Sequence, residues 1–198
     1  MDAFNLLKAD HRKVEELFSQ LESASGQAKM RVFEQIKMEL ELHTHIEEKI
    51  FYPALEKPKQ THELTLEAYE EHDVVKKLLQ QMSKAKSANE EWEAQAKVLQ
   101  ENVEHHVEEE ENELFEKAEA ALSEEQIEAL GEEMEAEKER KQRSASKSSS
   151  KKSGNKSASK TKSASTAAKR APASKKSGSK SSSKSSGSKR SKKAAKKR

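Results

Sequence analysis

The sequence predicts an all-α protein, an up-down-up-down four-helix bundle with a short fifth helix and a disordered basic tail. Three observations lead there. Apolar residues recur at helical spacing in four successive segments of residues 1 to 140. Strand-like alternation and hairpin dipeptides are absent from the same stretch. A helical-hairpin pattern is also written twice. His43-Thr-His-Ile-Glu47-Glu48 returns 63 residues later as His106-Val-Glu-Glu-Glu110-Glu111, and Asp10-His11 returns 61 residues later as Glu71-His72.

The first helix, residues 3 to 23, carries Phe4, Leu7, Val14, Phe18 and Leu21 on one face, with His11 in the place of a core residue. After a break at Ser23-Ala-Ser-Gly26, the second carries Phe33, Ile36, Leu40, His43, Glu47, Ile50 and Ala54, and Pro53 is expected to bend its end. The third, about 62 to 85 with Thr61 as cap, aligns Ala68, His72, Val75, Leu79 and Met82. The fourth opens on the capping-box pattern Ser87-Ala-Asn-Glu90 and aligns Trp92, Ala96, Leu99, Val103, His106, Glu110 and Leu114. Ser123-Glu-Glu-Gln126 starts the fifth, which packs Ile127, Leu130 and Met134 and is expected to fray over Glu135 to Arg143.

Four helices thus each place a histidine on the inward face, and two add a glutamate one turn later, where residues i and i+4 lie over one another. Burying even one unpaired carboxylate costs several kcal/mol against a domain stability of roughly 5 to 15. His11, His43, Glu47, His72, His106 and Glu110 therefore call for a cation. Two metal ions bridged by Glu47 and Glu110 would satisfy the ring; nitrogen and oxygen donors suit iron, manganese or zinc, and spacing does not choose among them. His45, His62 and His105 are expected at the surface, as are Glu48, Glu109 and Glu111, which could also orient ligating histidines. Tyr52, Tyr69 and Trp92 are expected to pack in or beside the core.

The chain has two opposed electrostatic halves. Residues 1 to 140 hold all 36 acidic side chains and 17 basic ones, a net −19, whereas residues 141 to 198 hold 21 basic side chains and no acid. That second segment has no aromatic residue and no Ile, Leu, Val or Met, so it cannot offset the entropy of ordering and is expected to stay disordered. Its lysines, about three residues apart, can neutralise phosphates without reading base sequence, which makes nucleic acid or another polyanion the expected partner. With no cysteine, thiolate sites and disulfides are excluded. The amino terminus meets acid and base too early for a signal peptide, and no segment is apolar enough to span a bilayer, so a cytoplasmic address is expected.

The order His11, His43-x-x-x-Glu47, His72, His106-x-x-x-Glu110 resembles the hemerythrin-like, or HHE cation-binding, family over roughly residues 2 to 140. Glu47-Glu48-x-x-Phe51-Tyr52-Pro53 and Glu110-Glu111-Asn-Glu-Leu-Phe115 are similar to that family as well. The resemblance implies a carboxylate-bridged di-iron centre, two non-haem iron ions that bind O2 or a related small ligand. Oxygen-carrying members have two histidines one turn apart in the third helix and an aspartate in the fourth. Here Ala68 precedes His72, Lys76 follows it, and Glu110 takes the aspartate position. One coordination position is thereby left for water or an exogenous molecule. That moves the expectation from oxygen carriage towards sensing of O2, NO or peroxide, or control of iron, beside nucleic acid held by the tail. Two rival readings are a peroxide-decomposing enzyme and a nucleoid scaffold whose core merely tolerates its histidines. The tail is similar in composition to those of linker histones.

Overall fold

A computed structural model describes residues 1–153, all of them helical or in short connections. The larger part of the basic tail, residues 154 to 198, lies outside the described residues. Helix α1 spans Ala3–Ser23, α2 Gly26–Ile46, α3 Tyr52–Leu55, α4 Lys59–Met82, α5 Glu90–Glu109, α6 Phe115–Ala121 and α7 Glu124–Ser153. A five-residue π-helical turn, Glu47–Phe51, joins α2 to α3, and a second, Glu110–Leu114, joins α5 to α6. The bundle therefore has four rods: α1, α2 with α3, α4, and α5 with α6.

Local chemistry sets the ends of these rods. The Asp2 carboxylate caps α1 by accepting from the Asn5 N–H at 2.9 Å. Gly26, at φ +55°, takes the left-handed conformation that starts α2 after an extended Ala24–Ser25. Helix α4 starts earlier than the sequence predicts. Pro58 precedes its first turn, and Thr61, instead of capping it, is buried within that turn and donates to the Leu55 carbonyl at 2.5 Å. Asn89, not Ser87, caps α5, accepting from the Trp92 N–H at 2.9 Å. Ser123 and Gln126 exchange reciprocal bonds at the start of α7, as a capping box does.

The predicted apolar stripes, apart from the partly buried Phe4, Ala54 and Leu130, are buried and fall into two cores. Phe33, Ile36, Leu79, Met82, Trp92 and Leu99 fill the end near the α1–α2 connection, where Phe33 and Trp92 meet edge to face with ring centroids 5.3 Å apart. Leu7, Phe51, Tyr52, Leu55, Phe115 and Met134 fill the other end. The four histidines, on α1, α2, α4 and α5, and the two glutamates that open the π turns lie between the two.

Helix α7 corrects the expectation of fraying. It is 30 residues long and continues through Glu135 to Arg143, reaching Ser153. Its hold on α1 and α2 is partly polar, which an apolar stripe does not reveal. Ile127 and Met134 are buried, Lys138 binds the Asp10 carboxylate, and Glu137 accepts from Lys49 and His45, each at 2.7 Å. Among the described residues no helix is long and apolar enough to cross a membrane.

Candidate metal centre

The six side chains singled out by the repeat meet at one level of the bundle. Glu47 is fully buried, and His11, His43, His72, His106 and Glu110 are each at most 6% exposed. His43 Nε2 lies 3.1 Å from Glu47 Oε2, His72 Nε2 lies 3.3 Å from the same oxygen, and His11 Nε2 lies 3.3 Å from Glu110 Oε2. His72 Nε2 and His106 Nε2 are 3.2 Å apart. Two groups of donors, His11, His43, Glu47 and Glu110, and Glu47, His72 and His106, are each close enough to hold a metal ion, and Glu47 belongs to both.

Each of these histidines has a carboxylate behind it. Glu111 lies 2.7 Å from His11 Nδ1, Glu48 3.0 Å from His72 Nδ1 and Glu71 2.7 Å from His106 Nδ1. Asp10 stands 3.7 Å from His43 Nδ1, beyond hydrogen-bond reach. A carboxylate accepts, so these Nδ1 atoms donate, and the neutral ring keeps its lone pair on Nε2. In neutral His11, His72 and His106 the Nε2 lone pairs then point inward, with His72 and His106 facing each other acceptor to acceptor. That arrangement is unfavourable unless a shared electrophile stands near them.

The two π turns shape the same level. On an α-helix residue i+5 sits about 140° around from residue i, at 100° per residue. In the π turn the Tyr52 N–H bonds the Glu47 carbonyl, and the Phe115 N–H bonds that of Glu110. Tyr52 is thereby turned into the interior. Its hydroxyl lies 3.2 Å from both Glu110 Oε1 and His72 Nε2. Phe115 occupies the corresponding place in the second half and stacks near His11, with centroids 6.3 Å apart. The duplicated scaffold is thus chemically unequal: a phenol borders the His72 side and a plain ring the His11 side.

Electrostatics strain this level. Burial and the Glu110 charge hold the Glu47 carboxyl well above the usual carboxylate range. Burial would raise Glu110 too, but the close approach of His11 and the charges of His106 and His11 lower it. Burial disfavours charge on His11, yet the nearness of Glu110 and the charges of Glu110 and Glu47 lift its pKa to about 9. Burial outweighs Asp10 at His43 and lowers its pKa to about 4. Burial, Glu110 and Glu47 together push the Tyr52 phenol well above its ordinary value. His11 Nε2, Glu110 Oε2 and both oxygens of Glu47 are buried with no hydrogen-bond partner among the described residues. Native interiors rarely leave such atoms unmatched, and cations are the partners that carboxylate and imidazole lone pairs accept together. The donor set, nitrogen and oxygen without sulfur, fits iron.

Sequence reasoning brought His11, His43, Glu47, His72, His106 and Glu110 to one place, and the structure assembles all six. His62 and His105 face solvent as expected, but His45 is half-buried against Glu137. Asp10, Glu71 and Tyr52 were missed as members of the site. A signal for the first two existed: each immediately precedes the histidine of its half, in the same register of the repeat. Tyr52 gave none, because its inward turn depends on the π register.

A family-wide profile for the Hemerythrin HHE cation binding domain matches residues 2–118. A DNA nickase from Nostoc sp. strain PCC 7120 is 31% identical over 141 residues, which is 71% of this chain and 40% of that protein. The chain thus spans about two fifths of that relative's length. The crystal structure of a hemerythrin HHE cation binding domain-containing protein, the Rv2633c homolog from Mycobacterium kansasii, is 25% identical with a TM-score of 0.64, covering 73% of this chain and 90% of that one. With four histidines and two glutamates converging where that profile matches, the chain belongs to the hemerythrin HHE cation-binding family.

Proposed function

We propose that this protein holds a carboxylate-bridged di-iron centre and uses it to bind or sense O2, NO or peroxide, or to keep iron controlled, beside nucleic acid in the cytoplasm. In this reading His11, His43, His72 and His106 supply nitrogen, and Glu47 and Glu110 bridge the two ions. One observation carries it: Glu47 belongs to both donor groups, and neither of its oxygens has a hydrogen-bond partner among the described residues. Bound iron would supply redox chemistry and a position open to a small ligand. The chain's own residues would fix ring orientation through the Nδ1 carboxylates and exclude bulk water through the two apolar cores.

Residues 141 to 198, with 21 basic and no acidic side chains, would form the arm that holds nucleic acid through its phosphates. The name of the Nostoc relative, a DNA nickase, supports a DNA setting for this family member. Metal quantification with an absorption spectrum under air tests the centre; two irons per chain are expected, with loss in His43→Ala, and unchanged content in that variant would count against the ligands named. Removing residues 154 to 198 keeps α7 whole. It should strongly weaken salt-sensitive duplex binding without lowering metal content, and equal binding would end the tether. Sustained gas evolution from peroxide would instead favour the enzymatic reading.

A further inference from the structure

Glu71 uses both of its oxygens. Oε2 accepts from His106 Nδ1 at 2.7 Å, while Oε1 lies 3.7 Å from Nε2 of the neighbouring His105. Glu109, one turn beyond His105 on α5, places Oε1 3.4 Å from the same Nε2. These three donors, from α4 and α5, lie within 4.8 Å of one another. Metal–ligand bonds of about 2.0 to 2.2 Å put neighbouring donors around one ion roughly 3 to 4 Å apart. The His105 side chain is 62% exposed and Glu71 and Glu109 are half-buried, so the cluster opens to solvent.

A cavity runs beneath it. Glu71 and Glu109 line its outer part, Ala68 and Leu114 its walls, and the buried His106 and Glu110 its inner part. Glu110 lines its inner end, and its Oε2, 3.3 Å from His11 Nε2, has no hydrogen-bond partner among the described residues. Ala68 sits one turn before His72 and contributes only a methyl, so the wall between α4 and α5 stays thin at the level of the six donors. The −19 charge of residues 1 to 140 attracts cations to the folded part of the chain, and the six donors are each at most 6% exposed.

We propose that Glu71, His105 and Glu109 form an outer site that captures a divalent metal ion at the mouth of this cavity and passes it to the buried donors. The capture stands on this cluster alone; the transfer rests on the di-iron reading above. Glu71 joins the two levels, since the carboxylate that takes the incoming ion also orients His106.

The test uses the metal-free full-length chain with Zn2+ as probe. Nitrogen-15 NMR of His105 reads coordination at its Nε2 directly. Zn2+ should shift that resonance, and Glu109→Gln should raise the Zn2+ needed for half the shift severalfold. An Nε2 resonance unmoved at Zn2+ levels that saturate the protein, or an identical titration in Glu109→Gln, would overturn the site. Anaerobic Fe2+ uptake followed by stopped flow should be severalfold slower in His105→Ala, with the same final metal content; equal rates would overturn the transfer. A shift at His105 in a protein whose His43 and His72 nitrogens never move would uphold the outer site and sink the reading of the centre.

Discussion

Glu71 Oε2 stands 2.7 Å from His106 Nδ1, whereas Asp10, in the matching place of the first half, stands 3.7 Å from His43 Nδ1. The difference has a visible partner. Asp10 is also bound by Lys138 of α7, while Glu71 meets only the two histidines of α5 and no lysine or arginine among the described residues. Carboxylates behind ligating histidines fix the tautomer and raise ring basicity, and their loss costs on the order of 10- to 100-fold in metal affinity. Glu71→Ala is therefore expected to weaken metal retention by that amount at equilibrium, and Asp10→Ala by less. Competition with a chelator measures both, and an equal loss in the two variants would show that the distance is unimportant.

Tyr52 allows a cleaner probe of the asymmetry between the halves. Phe115 occupies the same register after the second π turn, so a phenyl ring is compatible with that backbone. Tyr52→Phe should fold with little change in melting temperature, since only a hydroxyl at 3.2 Å from Glu110 and His72 is lost. The ion on the His72 side should then be held more weakly, so that chelator removes one metal well before the other. Parallel loss of both ions, with an unaltered spectrum, would return Tyr52 to a packing role.

The helices and the six inward donors were legible because both are written in a 3.6-residue period. A histidine at position 11 or 72 interrupts an apolar stripe, and that interruption is visible without coordinates. Asp10 and Glu71 lie about 100° from the stripe, on the flank of their helices. Their role depends on which neighbouring rod passes that flank, and a single-helix period carries no such information. Tyr52 packs in the core as expected, but its hydroxyl contacts with Glu110 and His72 were not legible, because the π turn shifts the register after Glu47 and nothing in Glu-Glu-Lys-Ile-Phe announces it. The length of α7 was missed because Glu137 and Lys138 anchor it through charges on the first π turn and α1.

Gly131 gives a mechanical test of the α7 attachment. A methyl group there would clash with the Met1 carbonyl and approach the Ala3 nitrogen to 2.6 Å, both backbone atoms that cannot rotate aside. Gly131→Ala gains intrinsic helix propensity of nearly 1 kcal/mol, yet overpacking against α1 costs about 1 to 3 kcal/mol. A net fall in thermal stability is expected, read by circular dichroism. A rise would mean that α7 does not rest closely on the start of α1.

Glu137 makes the same attachment pH-dependent, with a definite sign. Hydrogen bonds from Arg140, Lys49 and His45 hold its carboxyl far below the ordinary value of 4.5. A depressed carboxylate pKa contributes stability that is complete above the unfolded value and is lost as the pH falls through the folded one. Wild type should therefore melt above Glu137→Gln by a constant margin from pH 7 down to about 5. The margin should remain partly open near pH 3 and close only in stronger acid. Thermal melts of the two metal-free proteins across that range provide the measurement. A margin that vanishes by pH 4, where an unpaired glutamate is already mostly protonated, would show that these three donors do not hold Glu137 in the folded protein.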